Sequence, residues 1–360
     1  MIELKDDRQI KQEAEAAVDA VRADIVERYE AGDSRPWILG FSGGKDSTLL
    51  AQVVFEALLR VPPKHRTRDV YVLSSDTQVE TPYVAEFVAK TVKTMEAAAI
   101  SLNVPVQTVI VTPELNDTFW VKVIGYGYPP PSRLMRWCTD RLKIKPANRF
   151  ILEQISAHGE VMMLLGARYE ESQERAQSLA RHEVGGGLHR HTTMPKAFVW
   201  SPIRFLTLEQ VWAYLVYNPP PWGGDNRILR DLYKNANAGE CPLVVDETTE
   251  PCGNSRFGCY VCTVVARDKS LEGFVQAGDS RYEGMLGLRD HLLVLRDDHA
   301  NRMNVRRNGE PGVGPLHMEA RSDLLSRVLA LQADLGEELI SPEEVATIRR
   351  IWLTDTLDPN

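Results

Sequence analysis

Phe41-Ser42-Gly43-Gly44-Lys45-Asp46-Ser47 follows the apolar run Pro36-Trp37-Ile38-Leu39-Gly40 and opens a second one, Thr48 to Leu59. This order predicts a short strand, a glycine turn and a helix start. Such a turn points backbone N–H groups and a positive helix end at phosphate. Gly43 and Gly44 let the chain approach an anion closely, Ser42 and Ser47 offer hydroxyls, and Lys45 adds a point charge. The spacer of a Walker A loop is missing, which excludes that class. Asp46 beside the turn would repel a triphosphate unless a divalent cation bridges them, and Mg2+ is the natural choice. Capping of the helix by Asp46 is a second, compatible role.

The flanking sequence repeats the alternation. Residues 8–31 carry Ala14, Ala17, Val18, Val21, Ile25 and Val26 at helical spacing, a lead-in helix. Val70–Ser74, Val104–Val111 and Val161–Gly166 read as further strands, and Thr81-Pro82 as the start of a long helix ending near Asn103. Strands alternating with helices predict an α/β fold with a doubly wound parallel sheet. Its ligand crevice lies beyond the carboxyl ends of the strands, where Ser42–Ser47, Asp76-Thr77 and Gly166-Ala167-Arg168 all fall. Asp76 there is a further candidate for the metal or the nucleoside.

Composition sets broader limits. The 360 residues are 43% hydrophobic and 26% charged, ordinary for a globular protein with real cores. Neither a membrane-length apolar run nor a basic-then-apolar leader is visible, so a cytoplasmic protein without membrane contact is expected. A net charge of −8 argues against a strong autonomous grip on nucleic acid, yet Arg133, Arg136, Arg141, Lys143, Lys145 and Arg149 cluster, as do Arg302, Arg306 and Arg307. Four regions are expected: an N-terminal helix (1–35), a nucleotide-binding domain (36–217), a Cys-rich region (218–275) and a C-terminal helical region (276–360). Within the last, Ser322–Leu335 reads as a helix capped by Ser322 and stopped by Gly336, and Ser341-Pro342-Glu343-Glu344 as a capping box. Gly185-Gly186-Gly187 with His182, His189 and His191 reads as a solvated, flexible loop.

Cysteine carries the second strong signal. Cys241, Cys252, Cys259 and Cys262 place four thiols within 22 residues. In a cytosolic setting ligation of a metal is favoured over disulfides. Only one Cys-x-x-Cys knuckle is present, which favours an iron–sulfur cluster, [4Fe-4S], over zinc. The fifth cysteine, Cys138, lies among cations, which favours thiolate and nucleophilicity. It reads as a persulfide-carrying nucleophile, as a cluster ligand in place of Cys241, or as an inert buried thiol.

The glycine turn resembles the Ser-Gly-Gly-x-Asp-Ser pyrophosphate loop of the N-type ATP pyrophosphatases, enzymes that cleave ATP between the α and β phosphates and adenylate an oxygen. Gly166 to Arg175 resembles the Gly-x-Arg-x-x-Glu-Ser-x-x-Arg pattern of sulfate-assimilating members, in which Arg168 and Arg175 would clamp phosphate oxygens; a surface helix with salt bridges is the plainer reading. Cys138-Thr139-Asp140-Arg141-Leu142-Lys143-Ile144-Lys145-Pro146 is similar to a segment near the active site of PAPS-reductase-like proteins. With Phe257 to Gly273, the chain resembles DndC and SspD, the ATP pyrophosphatases of bacterial DNA phosphorothioation. The resemblance implies ATP-dependent replacement of a phosphate oxygen in DNA by sulfur. Lys45, Asp46 and Cys138 would be catalytic, and Ser42, Gly43, Gly44, Ser47, Asp76, Arg168 and Arg175 would bind ATP. A cysteine desulfurase and other phosphorothioation proteins would be partners. A PAPS or APS reductase, a tRNA thiolase and a nucleotide-sensing module are the rivals. Against the reductases, no cysteine follows Cys262 and no adjacent Cys-Cys pair occurs.

Overall fold

A computed structural model describes residues 7–171, 183–185, 187–236, 258–276 and 278–355. Arg175, His182, Cys241 and Cys252 lie outside the described residues.

A seven-stranded sheet forms the centre. Its strands are β1 (Trp37–Gly40), β2 (Val70–Ser75), β3 (Val106–Val111), β4 (Val161–Leu164), β5 (Glu183–Gly185), β6 (Leu188–Arg190) and β7 (Ala197–Trp200), in the order β3-β2-β1-β4-β7-β6-β5. The first five in that order are parallel, with Ile38 opposite both Tyr71 and Met163. Side chains alternate between two apolar layers: Trp37 and Leu39 join one buried cluster, Ile38 the other. Helices α1 (Asp7–Glu30), α2 (Lys45–Arg60) and α3 (Pro82–Ser101) supply the first layer; α4 (Lys145–His158) covers the opposite face through Ile151 and Phe150. A doubly wound sheet with helices on both faces is therefore what the alternating pattern produces. Strand order reverses between β1 and β4, so the ligand crevice of such folds lies between those two strand ends.

Two local expectations are corrected. Residues 183–185 and 188–190 are not a loop. They form an antiparallel hairpin, with Leu188, His189 and Arg190 opposite Trp200, Val199 and Phe198. The hairpin supplies the backbone partners that the edge of β7 would otherwise lack. The helix expected from Ser322 begins four residues earlier, at Met318, because Ala320 and Arg321 are themselves buried. Gly336 does end that helix, and Ser341 with Glu344 does form a capping box.

Helices α5 (Leu208–Tyr217) and α6 (Arg227–Ala236) follow the sheet, then α7 (Lys269–Gln276), α8 (Arg281–Asp297), α9 (Met318–Leu335) and α10 (Pro342–Leu353). The last two enclose a buried π-helical turn, Val121–Gly125. The Arg321 and Trp352 side chains both donate to the Ile124 carbonyl, each at 2.9 Å. Among the described residues no helix is long and apolar enough to cross a membrane.

Candidate functional site

Gly43 takes φ 73°, and a Cβ there would sit 2.5 Å from Val88 of α3. Glycine is thus required twice, by backbone conformation and by space. Gly44 is the N-cap of α2 and contributes no side-chain cap, so Asp46 is not the capping residue. The first backbone bond of the helix runs from Thr48 N–H to Gly44 C=O at 2.9 Å, which leaves the preceding amides at the positive helix end. Lys45 N–H donates to the Tyr233 hydroxyl at 3.3 Å. Ser47 is fixed by a bond from its hydroxyl to the Gly44 carbonyl (3.0 Å) and one from Ser42 N–H to its oxygen (3.2 Å); the two hydroxyls lie 3.2 Å apart. The turn is a preorganised cradle of donors.

Lys45, Asp46 and Arg168 form a charged group beside it. Lys45 Nζ reaches Asp46 Oδ2 at 2.8 Å and Arg168 Nε reaches Asp46 Oδ1 at 2.7 Å. Burial works against the Lys45 ammonium, but Tyr233 and Asp46 outweigh it and hold its pKa above the ordinary value. Arg168, with its side chain 4% exposed, also bonds Glu170 (2.8 Å) and the Leu206 carbonyl (3.2 Å). As placed, Arg168 orders Asp46 rather than presenting a free fork to phosphate. Asp46 is thus already met by two cations, so the repulsion that called for a magnesium ion is reduced. Each of its oxygens keeps a lone pair, the donor type that Mg2+ takes from a carboxylate.

The end of the neighbouring strand β2 carries a second group. Asp76 accepts from Gln78 N–H at 2.8 Å, and Thr77 N–H donates to Glu80 at 3.0 Å. The Thr77 hydroxyl lies 3.4 Å from Cys259 Sγ, and Tyr260 N–H donates to the Val79 carbonyl at 3.0 Å. Burial pushes the Cys259 thiol up to about 12, reinforced by Glu80. Burial and then the neighbouring Cys262 raise Cys138, while Thr139 and Lys143 oppose them. The expectation that surrounding cations favour a Cys138 thiolate is therefore corrected: desolvation wins. Cys262 is close enough to perturb both Cys138 and Cys259, and three thiols match the donor chemistry of an iron–sulfur cluster. No group of three or more His, Cys, Asp or Glu among the described residues is arranged as a ready metal site. The two remaining expected ligands, Cys241 and Cys252, lie outside those residues.

The sequence profile of the phosphoadenosine phosphosulfate reductase domain matches residues 36–264, which contain both groups. The chain belongs to this family. A curated relative, the uncharacterized protein MJ0066 of Methanocaldococcus jannaschii, is 26% identical over 210 residues, 58% of this chain; the chain spans 37% of that relative's length. Among solved structures, a PAPS reductase from Candida auris aligns with a TM-score of 0.37 at 15% identity, covering 63% of this chain and 92% of that one. The U34-tRNA thiolase NcsA of Methanococcus maripaludis, determined with its [4Fe-4S] cluster, aligns at 0.34 and 11% identity, covering 62% and 74%.

Within this reductase-family frame, sequence reasoning missed Tyr233, which meets the glycine turn from α6, and the Thr77–Glu80 pair beside Cys259. It also missed Arg289 of α8, which donates to the Cys262 carbonyl at 3.1 Å. None of these carries a local motif. Each reaches its site by long-range packing.

Proposed function

We propose that the chain is an ATP pyrophosphatase that activates a non-bridging oxygen of a DNA backbone phosphate for replacement by sulfur. One observation supports this most. The glycine turn after β1 and the Cys259 thiol beyond β2 lie at the carboxyl ends of adjacent strands, with Thr77 against Cys259.

In this reading the DNA oxygen attacks the α phosphorus of ATP and pyrophosphate leaves. Lys45, the Ser42 and Ser47 hydroxyls and the amides opening α2 stabilise the departing charge before it forms. Mg2+ beside Asp46 would neutralise phosphate oxygens. Persulfide sulfur on Cys138, supplied by a cysteine desulfurase, attacks the DNA phosphorus as AMP departs with the activated oxygen. A thiol reductant then cleaves the S–S bond, leaving the phosphorothioate and restoring Cys138. Cys241, Cys252, Cys259 and Cys262 would hold the cluster, and other phosphorothioation proteins would present the DNA.

The proximity of half-buried Cys138 to Cys262 favours a second role for it, as a cluster ligand. The Cys138→Ser variant separates the two. A sulfur carrier keeps its iron while losing sulfur transfer; a ligand loses iron. Family membership also supports a sulfonucleotide reductase, and sulfite formed from PAPS with a thiol reductant would replace our reading with that one. For the reading itself, ATP must yield AMP and pyrophosphate, and ADP as product rejects it.

A further inference from the structure

Between the buried π turn and Cys138 the chain passes through Tyr128-Pro129-Pro130-Pro131 and then a tight, projecting tip, Ser132-Arg133-Leu134-Met135. Its base is fixed. The Thr263 hydroxyl donates to the Pro131 carbonyl at 2.6 Å and the Trp137 indole to the Pro129 carbonyl at 2.9 Å. The tip itself closes on reciprocal bonds, Ser132 N–H to Met135 C=O at 3.1 Å and Met135 N–H to Ser132 C=O at 3.2 Å. At its corner Leu134 is 100% exposed and Met135 46%. Arg133 and Arg136 flank them, both exposed, and neither meets a carboxylate among the described residues. A stiff loop that holds one leucine entirely in water between two guanidiniums has an apolar point and a charge pattern complementary to polyphosphate.

We infer that this tip is a wedge for duplex DNA: Leu134, backed by Met135, enters between adjacent base pairs while Arg133 and Arg136 hold the flanking phosphates. Proteins that kink DNA use leucine or methionine in this way, with arginine beside it. The inference rests on DNA being the substrate and names the element that engages it. Cys138 lies four positions after Leu134, a reach of at most about 14 Å of extended chain. The backbone beside the wedged step is therefore delivered close to the thiols. The second basic segment is tied in nearby, where the Arg307 guanidinium donates to the Tyr126 carbonyl.

The test uses the full chain and duplexes carrying 2-aminopurine, whose fluorescence rises on unstacking. The wild type raises the fluorescence severalfold on binding. Leu134→Ala with Met135→Ala abolishes most of the rise while binding weakens less than about tenfold, since the phosphate contacts remain. Arg133→Gln with Arg136→Gln weakens binding and lowers the salt slope by about two, one per lost phosphate contact. An unchanged rise in the Leu134 and Met135 variant, no binding by the wild type, or equal sensitivity of an RNA hairpin to these substitutions would each overturn the inference. Pyrophosphate release by the wild type is scored separately, so loss of the ATP reading is distinguishable from loss of the wedge.

Discussion

Nε of Arg168 donates to Oδ1 of Asp46 at 2.7 Å, joining the segment after β4 to the first turn of the helix after β1. The bond spans the point where strand order reverses, so the crevice is held together by the same side chains that line it. Arg168→Met leaves Asp46, whose side chain is 13% exposed, with Lys45 as its remaining cation, and should lower stability by about 1–3 kcal/mol in urea unfolding. Asp46→Asn made in that background should cost much less than in the wild type. Additive losses would show that the two residues are not coupled.

Gly166 lies against the same turn. A Cβ there would sit 2.9 Å from the Asp46 carbonyl carbon and oxygen and 3.0 Å from Ser47 N. These are backbone atoms, so the start of α2 must move. Gly166→Ala should destabilise by about 1–3 kcal/mol. It should also reduce pyrophosphate release by on the order of 100-fold, because the donors leave their register with phosphate. Normal turnover in this variant would mean that the register of the turn is irrelevant.

Arg289, 2% exposed, pins the loop that carries the Cys-x-x-Cys pair, donating to the carbonyls of Cys262 (3.1 Å) and Val265 (2.5 Å). Arg289→Met should release that loop. The purified protein should then hold less than about half the iron of the wild type while unfolding in one cooperative step; Arg289→Lys should restore part of it. Iron content equal to the wild type in both variants would assign Arg289 a purely structural role.

Asp117 is surrounded by Lys122 (2.8 Å), Lys145 (3.0 Å) and Arg141 (3.4 Å). Burial raises its pKa, but the cations prevail and hold it below the usual carboxylate range. A carboxyl depressed in the folded state contributes stability above its unfolded pKa, and that contribution is lost as pH falls through the folded value. Between about pH 5 and pH 3 the urea midpoint of the wild type should therefore fall more steeply than that of Asp117→Asn. Parallel curves would contradict the pairing.

Much of this arrangement was legible in the residues. Trp37–Gly40, the glycine turn and the helix after it were read correctly, because local pattern and turn chemistry agree there. The β5–β6 hairpin was not. Strands of three residues, the first ending in Gly185 and the second following Gly187, give no period-2 signal, and only the open edge of β7 makes them pair. The charges of the Cys138 segment were visible but their effect was not. Burial and Cys262, which lie far apart in sequence from the cations, decide the sign. For the same reason Arg168 reads as a phosphate clamp in isolation and as the partner of Asp46 in the fold.

The account depends on the turn at Ser42–Ser47 gripping the two terminal phosphates of ATP. The most direct measurement is product analysis of ATP labelled at the α and γ phosphates, incubated with the full chain, Mg2+ and duplex DNA. The account predicts labelled AMP and labelled pyrophosphate in equal amounts, with both falling at least about tenfold in Ser47→Ala. Labelled ADP and orthophosphate, or AMP formation indifferent to Ser47, would contradict it.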